Sequence, residues 1–343
     1  MNGTAPESAA ERRGMEKTAD RTESAAKRTA VLLSSYNGER FIREQIESIL
    51  AQENAGPVDL YVRDDASSDG TCGIVRELMK AHENLLLIEG AHAGSTESFF
   101  SLLHAAQDYD YYALSDQDDV WLPDKLSSAL AALSAAERAA SSGSAGEDAA
   151  PAPLLYACTS YLADPALRKS GHISQIQRRA ITFYNTAVQN ICMGHNQVMN
   201  RALRDLLTSM PLDSSKIYAH DMWITQTASA AGTILFDNTP HTLYRQHEGN
   251  ELGFGTGPAS WARRRFERAK SGETEKIARQ TAYFVDTMAS YLSEEEIREA
   301  KAFLSARSFP DRLRLAIRTK FYRQKKTETV LFRLLYLSGG YRA

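Results

Sequence analysis

Cysteine is scarce in this sequence. Three residues in 343 (Cys72, Cys158, Cys192) make an odd number with no CxxC spacing. That excludes a disulfide framework and suits a reducing cytoplasm with buried thiols. No run approaches the roughly 20 apolar residues a membrane-spanning helix needs. The first residues hold no apolar signal core, and 1–28 are expected to form a disordered tail. An excess of either charge is also missing. With 40 Lys and Arg against 43 Asp and Glu, the net is -3, which gives no reason to expect a nucleic-acid partner. Glycine-rich phosphate cradles are absent. There is no GxxxxGK[ST], Gly253-Phe254-Gly255-Thr256-Gly257 lacks the GxGxxG spacing, and His247-Glu248-Gly249-Asn250-Glu251 lacks the second His of a zinc-protease helix. A nucleotide bound here would need side chains and a metal to hold its phosphates.

What is present is an ordinary soluble composition, 43% apolar and 24% charged. Short apolar runs at Ala30–Ser35, Asp59–Arg63, Asn84–Glu89 and Tyr109–Leu114 read as strands. Helical periodicity falls between them: Phe41, Ile42, Ile46, Ile49 and Leu50 share one face, and further helices are expected near Cys72 and Glu97–Ala106. The alternation predicts an α/β fold with a mostly parallel central sheet flanked by helices. A helix at Lys125–Ala140, a flexible loop at Ser141–Pro153 and a strand at Leu154–Ala163 follow.

The most informative run is Tyr112-Ala113-Leu114-Ser115-Asp116-Gln117-Asp118-Asp119-Val120-Trp121. A buried strand delivers Asp116, Asp118 and Asp119 at its carboxyl end, where open α/β sheets bind ligands. Such a crowd repels itself unless a cation sits among it. A solvated acidic loop and a helix-capping Asp are the bland readings. A Mg²⁺ or Mn²⁺ site accounts for all three carboxylates, because hard cations take oxygen ligands and share them with substrate phosphates. Asp64-Asp65-Ala66-Ser67-Ser68-Asp69-Gly70-Thr71 begins like a calcium loop, but Arg76 stands where a bidentate Glu is required, leaving a capped turn or a recognition loop. Asp221, between His220 and Met222-Trp223 at the head of an apolar helix, is either an N-cap or a general base. Arg245 and His247 are an exposed basic pair, or a phosphate contact and a metal ligand.

Taken in order, these segments resemble family 2 glycosyltransferases. Ser34-Ser35-Tyr36-Asn37-Gly38-Glu39 with Gln45–Leu50 resembles their first strand and helix, and Val62–Thr71 their second-strand loop. Ser115–Trp121 resembles their DxD segment. Asn190–Asn200, His220–Trp223 and Arg245–Asn250 bring the likeness closest to a bacterial rhamnosyltransferase-like branch, over residues 29–255. The resemblance implies a GT-A fold, a nucleotide-sugar donor (dTDP- or UDP-linked), a divalent metal (Mg²⁺ or Mn²⁺) and inverting transfer. It implies that Ser35, Tyr36, Asn37 and Glu39 line the nucleotide site and that Asp64 or Asp65 meets the base. Asp116 would lie near the ribose or metal, with Asp118 the leading metal ligand. Asp221 would be the catalytic base, and Arg245 or His247 would meet the diphosphate or metal. Two positions depart from the pattern: Ser98 stands where Asn is frequent, and Ala66 replaces a frequent Gly.

The expected organisation is a tail at 1–28, a catalytic domain at 29–260 and a helical basic extension at 261–343. Residues 307–343 carry ten Lys and Arg against Asp311 and Glu328. That basic end suits either a helical pair packed on the catalytic domain or a peripheral contact with the inner face of the membrane. The expected activity is transfer of rhamnose or a related hexose to a cell-surface glycan or lipid-linked acceptor. A sugar nucleotidyltransferase would carry a Gly-rich basic loop where Ser34–Arg40 stands, and a non-catalytic nucleotide- or glycan-binding module would not need a base.

Overall fold

The computed structural model describes residues 27–142, 151–247 and 272–341. Most of the 1–28 tail, most of the 141–153 loop and the Gly253–Gly257 motif lie outside the described residues. The alternation read from apolar periodicity appears as β1 (Thr29–Ser35), α1 (Ile42–Leu50), β2 (Val58–Asp64), α2 (Thr71–Met79), β3 (Leu85–Glu89), α3 (Ser95–Ala105) and β4 (Tyr111–Ser115). Next come β5 (Val120–Trp121), α4 (Lys125–Ser142), β6 (Leu154–Ala163), β7 (Lys169–Ile173), α5 (Phe183–Thr186), β8 (Gln197–Asn200), α6 (Arg201–Thr208), α7 (His220–Ala231) and β9 (Thr233–Arg245). The chain then turns helical: α8 (Glu273–Thr287), α9 (Glu294–Ser305), α10 (Phe309–Arg318) and α11 (Lys326–Leu337).

The sheet order is β3-β2-β1-β4-β8-β6-β9-β5, with β7 beside β6. The first four strands in this order are mutually parallel. β8 runs antiparallel to both β4 and β6, and β9 is parallel to β6 but antiparallel to β5. The sheet is therefore mixed, with a parallel half and a second half that folds back on itself.

Strand geometry sends alternate residues to opposite faces, and the core divides accordingly. Val31, Leu33, Tyr111 and Ala113 pack with Ile46 of α1, Val75 of α2 and Leu126 of α4. Ala30, Leu32, Tyr112 and Leu114 pack on the other face with Phe99 of α3, Leu203 of α6 and Trp223 of α7. The carboxyl-terminal helices join this second core through Phe284, Phe303, Phe332 and Tyr336. Phe303 stacks on Tyr336 with centroids 4.1 Å apart, and Phe284 meets Trp223 edge-on at 5.2 Å. The helix bearing Asp221 thus has the sheet on one side and the helical extension on the other.

Candidate active site

Register fixes where the loops emerge. Ser35 lies opposite Asp64 and Leu33 opposite Ser115, so β1, β2 and β4 end at one edge of the sheet. Three loops leave that edge and lock together. The Asn37 N–H donates to Ser67 Oγ (2.8 Å) and the Ser68 N–H to Asn37 Oδ1 (2.9 Å). The Gly70 N–H donates to Glu39 Oε2 (2.6 Å). The Gln117 amide pairs with both the N–H and the C=O of Tyr36, each at 2.9 Å. Asn37 and Glu39 therefore hold the loops in place, while the Tyr36 ring is 47% exposed and tilted against His92 at 4.6 Å.

Both aspartates of the second loop are buried and engaged. Asp64 accepts from the Ser35 hydroxyl (3.2 Å), the Ser67 N–H (2.8 Å) and the Ser67 hydroxyl (2.6 Å). Asp65 accepts from Arg63 Nη1 (2.7 Å) and from the amides of Ala93 (2.9 Å) and Gly94 (2.8 Å). Burial pushes the Asp65 carboxyl upward, but Arg63 and the two amides outweigh it and hold it below the ordinary value. Ala66, where the family often has Gly, sits in the left-handed region at φ 64.

The acidic loop brings together groups distant in sequence. His247 Nε2 lies 2.8 Å from Asp118 Oδ2, so these two side chains meet. Arg245 is buried. Its guanidinium lies over the Phe41 ring (4.6 Å), reaches the backbone oxygens of Asp118 (2.9 Å) and Pro165 (2.5 Å), and pairs with Glu44. Its own N–H donates to Asp119 Oδ1 at 3.1 Å. Arg245 is thus a buttress of the acidic loop.

A second set was not singled out in the sequence. Asp116, Asp119 and His195 offer ligand atoms within 4.8 Å of one another, with His195 Nδ1 at 3.6 Å from Asp116 and 3.7 Å from Asp119. The His195 ring is held from behind by the Ser160 hydroxyl at Nε2 (3.0 Å) and by stacking on Tyr244 (4.7 Å). Asp119 Oδ2 is buried with no hydrogen-bond partner. Burial, together with Asp118 and Asp116, pushes the Asp119 carboxyl up to about 7 against the pull of His195. Burial also raises Asp118, reinforced by Asp116. In Asp116 the pull of His195 overcomes desolvation and keeps the carboxyl low. His195 is raised: Asp119 and Asp116 outweigh its burial. Beneath lies Lys125, fully buried, bonded to the His195 carbonyl oxygen and set over the Trp121 ring at 3.7 Å. Burial lowers its ammonium to about 8.

Asp221 is linked to the acidic loop through a short shared segment. The N-cap of α7 is Ala219, so Asp221 sits in the first turn rather than capping it. Its Oδ2 accepts from the Gly194 N–H (3.0 Å) and its Oδ1 from the Met222 N–H (2.8 Å). Gly194 must be glycine for close approach: a Cβ there would lie 2.8 Å from His220 Nε2 and 3.3 Å from Asp221 Cβ. The His220 ring is stacked on Phe99 at 4.1 Å. The segment Met193–Gln197 thus touches the acidic loop through His195 and Asp221 through Gly194. Neither His195 nor Lys125 carries a spacing signal. Each matters only because the fold brings the segment before β8 and the start of α4 beneath the end of β4.

Comparison with known proteins fits this architecture. The sequence profile described as "Glycosyl transferase family 2" matches residues 30–206. A dTDP-rhamnosyl transferase, RfbG of Shigella flexneri, is 26% identical over 228 residues, which are 64% of this chain and 73% of that protein. A UDP-Glc:alpha-D-GlcNAc-diphosphoundecaprenol beta-1,3-glucosyltransferase, WfgD of Escherichia coli, is 34% identical over 97 residues, 28% of this chain and 37% of that protein. Among solved structures, TarS 1-349 of S. aureus in complex with UDP-GlcNAc superposes with a TM-score of 0.53 at 16% identity, covering 91% of this chain and 80% of that one. At that identity the likeness establishes the fold, which is GT-A.

Proposed function

The chain belongs to glycosyl transferase family 2, and from that premise we propose that it moves rhamnose or a related hexose from a dTDP- or UDP-linked donor to a hydroxyl of a cell-surface glycan or lipid-linked acceptor, with inversion. The observation that carries this reading is the junction at Met193–Gln197. One short segment holds both the acidic loop and the carboxylate of Asp221, so a leaving diphosphate and an attacking hydroxyl can share one cleft. The catalytic unit is residues 29–260 and the helical extension 261–343.

The donor set fits a hard divalent cation. It consists of carboxylate oxygens and imidazole nitrogens. Of the two sets, Asp116–Asp119–His195 has its own counter-charges in His195 and Lys125. Mg²⁺ or Mn²⁺ is therefore assigned to Asp118 and His247, with Asp116. Bound there, it would offset charge on the departing diphosphate. Ser35, Tyr36, Asn37 and Glu39 form the donor's floor, with the Tyr36 ring free to stack on the base. Asp64 or Asp65 would meet the base at its rim. Asp221 takes the proton of the acceptor hydroxyl. The oxygen attacks the anomeric carbon opposite the diphosphate, the glycosidic bond to phosphate breaks, and nucleoside diphosphate leaves. Arg245 keeps the acidic loop in position throughout.

The relation to RfbG favours rhamnose, and the relation to WfgD favours a lipid-diphosphate acceptor. A thermal-shift panel of nucleoside diphosphates and nucleotide sugars, with and without Mn²⁺, tests the donor. The correct donor should raise the melting temperature by mass action, and only with metal. A flat response across dTDP- and UDP-sugars would overturn the reading.

A further inference from the structure

We propose that the outer faces of α10 and α11 are a docking surface for an anionic phospholipid membrane. This goes beyond the transfer reaction and does not depend on which sugar is moved. Ten large hydrophobic residues are exposed among the described residues, and five of them lie on these two helices: Phe309 (58%), Leu313 (40%), Ile317 (68%), Val330 (59%) and Leu334 (55%). Their i, i+4 spacing puts each group on one helix face. The opposite sides are committed to the core through Ala316, Phe332 and Tyr336. The exposed residues are thus surplus to folding, and large exposed apolar stripes mark interaction sites.

Charge selects the partner. Residues 307–343 carry a net +8, while residues 1–306 carry -11. The two acids of this region are engaged locally. Asp311 is bonded to Ser308 at the start of α10, and Glu328 sits 3.4 Å from Lys325 and 3.9 Å from Arg323. Arg314, Arg318 and Lys326 are exposed and form no ion pair among the described residues. Apolar faces flanked by free cations are the pattern of helices that lie in a bilayer interface and draw on anionic headgroups. No helix among the described residues is long and apolar enough to cross a membrane, so the contact is peripheral.

The surface is also coupled to the site. The linker between α10 and α11 binds the segment that leads to His195. Gln324 Oε1 accepts from the backbone N–H groups of Arg178 (2.9 Å) and Arg179 (2.8 Å), and Asn185 Nδ2 donates to the Tyr322 carbonyl (3.1 Å). Docking through α10 and α11 would therefore anchor the stretch that runs into the Met193–Gln197 segment.

The test is flotation of the full chain with vesicles of phosphatidylcholine alone and of phosphatidylcholine with phosphatidylglycerol, in the absence of donor and acceptor. Binding is expected to the anionic vesicles only and to weaken with salt. Leu313→Asp with Ile317→Asp should abolish it. Arg314→Gln with Arg318→Gln should weaken it about thirtyfold, each cation near the surface being worth about fivefold. Both double variants replace exposed residues and should keep the wild-type melting temperature. Equal binding to neutral vesicles, no binding, or binding indifferent to both variants would overturn the proposal. So would a dimer in ultracentrifugation that Leu313→Asp with Ile317→Asp dissolves, since it would assign the stripe to a second copy. Because flotation needs no turnover, loss of the transfer reading would leave its result intact.

Discussion

Replacing Gly194 by Ala should separate catalysis from donor binding. The added Cβ would sit 2.8 Å from His220 Nε2 and 3.3 Å from Asp221 Cβ. The His220 ring cannot retreat easily, being stacked on Phe99 at 4.1 Å, and the turn behind it is buried through Met222, Trp223 and Ile224. The strain must move either the Met193–Gln197 segment or the first turn of α7. Overpacking of this kind costs about 1–3 kcal/mol, which lowers the melting temperature by several degrees. The 3.0 Å bond from the Gly194 amide to Asp221 then lengthens, and a misplacement of about 1 Å in a reacting group can cost about a hundredfold in rate. The assay is steady-state transfer, with calorimetry of nucleoside diphosphate binding in Mn²⁺ alongside. The turnover number should fall about 10- to 100-fold while nucleotide affinity is unchanged. Gly73→Ala in α2 is the control. Nothing lies within 4 Å of its Cβ, so it should be neutral or stabilise by up to about 1 kcal/mol. Wild-type turnover and wild-type melting temperature in Gly194→Ala would show that this loop does not position Asp221.

Asp221→Asn should keep nucleotide affinity and lose about 10²- to 10⁴-fold in transfer, measured by product formation at saturating donor. Asp118→Ala should abolish the Mn²⁺-dependent part of nucleotide binding, and calorimetry showing undiminished affinity would remove Asp118 from the metal site. Lys125 titrates near 8 in the folded protein against an ordinary 10.5, so the unfolded chain binds more protons between those values. Relative to Lys125→Met, the wild type should therefore gain about 1 kcal/mol of stability per pH unit between about pH 8 and 10.5, and a pH-independent difference in denaturant unfolding would contradict the burial of this ammonium. Ala66→Gly relieves a left-handed alanine at φ 64 and should stabilise by up to about 1 kcal/mol, read from the urea midpoint.

Wherever local pattern sets local structure, the sequence was legible. The short apolar runs of β1 and β4 and the stripe of α1 placed the parallel half of the sheet to within a residue or two. The run after Leu114 located the acidic loop. What the sequence did not reveal depends on contacts between distant segments. β8 has four residues and β5 has two, too few for periodicity to register, so the antiparallel pairings around the expected strand β6 were invisible. His195 and Lys125 sit 76 and 6 residues after Asp119, and no spacing ties either of them to the acidic loop. The family resemblance implied that Arg245 or His247 would meet the diphosphate or metal. The Arg245 guanidinium is instead occupied by Glu44 and two backbone oxygens.

The three acids of the loop show why such a cluster can fold before any ligand arrives. Each takes a partner from a different part of the chain: Asp116 from the segment before β8, Asp118 from the residue after β9, and Asp119 from the Arg245 amide. Coulomb repulsion among three carboxylates in a desolvated loop would otherwise disfavour the native state. The raised His195 and the Asp119 carboxyl pushed up to about 7 both reduce that net charge. Lys125 adds a cation beneath them. Asp118 is the member of the trio whose side-chain oxygen meets only the imidazole of His247 among the bonds that cross the loop, and that imidazole is itself a metal ligand type. Charge balance is therefore nearly complete on the buried side of the loop and incomplete on the side of Asp118. Under the proposed function, that asymmetry would direct an incoming cation, and the diphosphate it accompanies, to Asp118 rather than to the triad behind it.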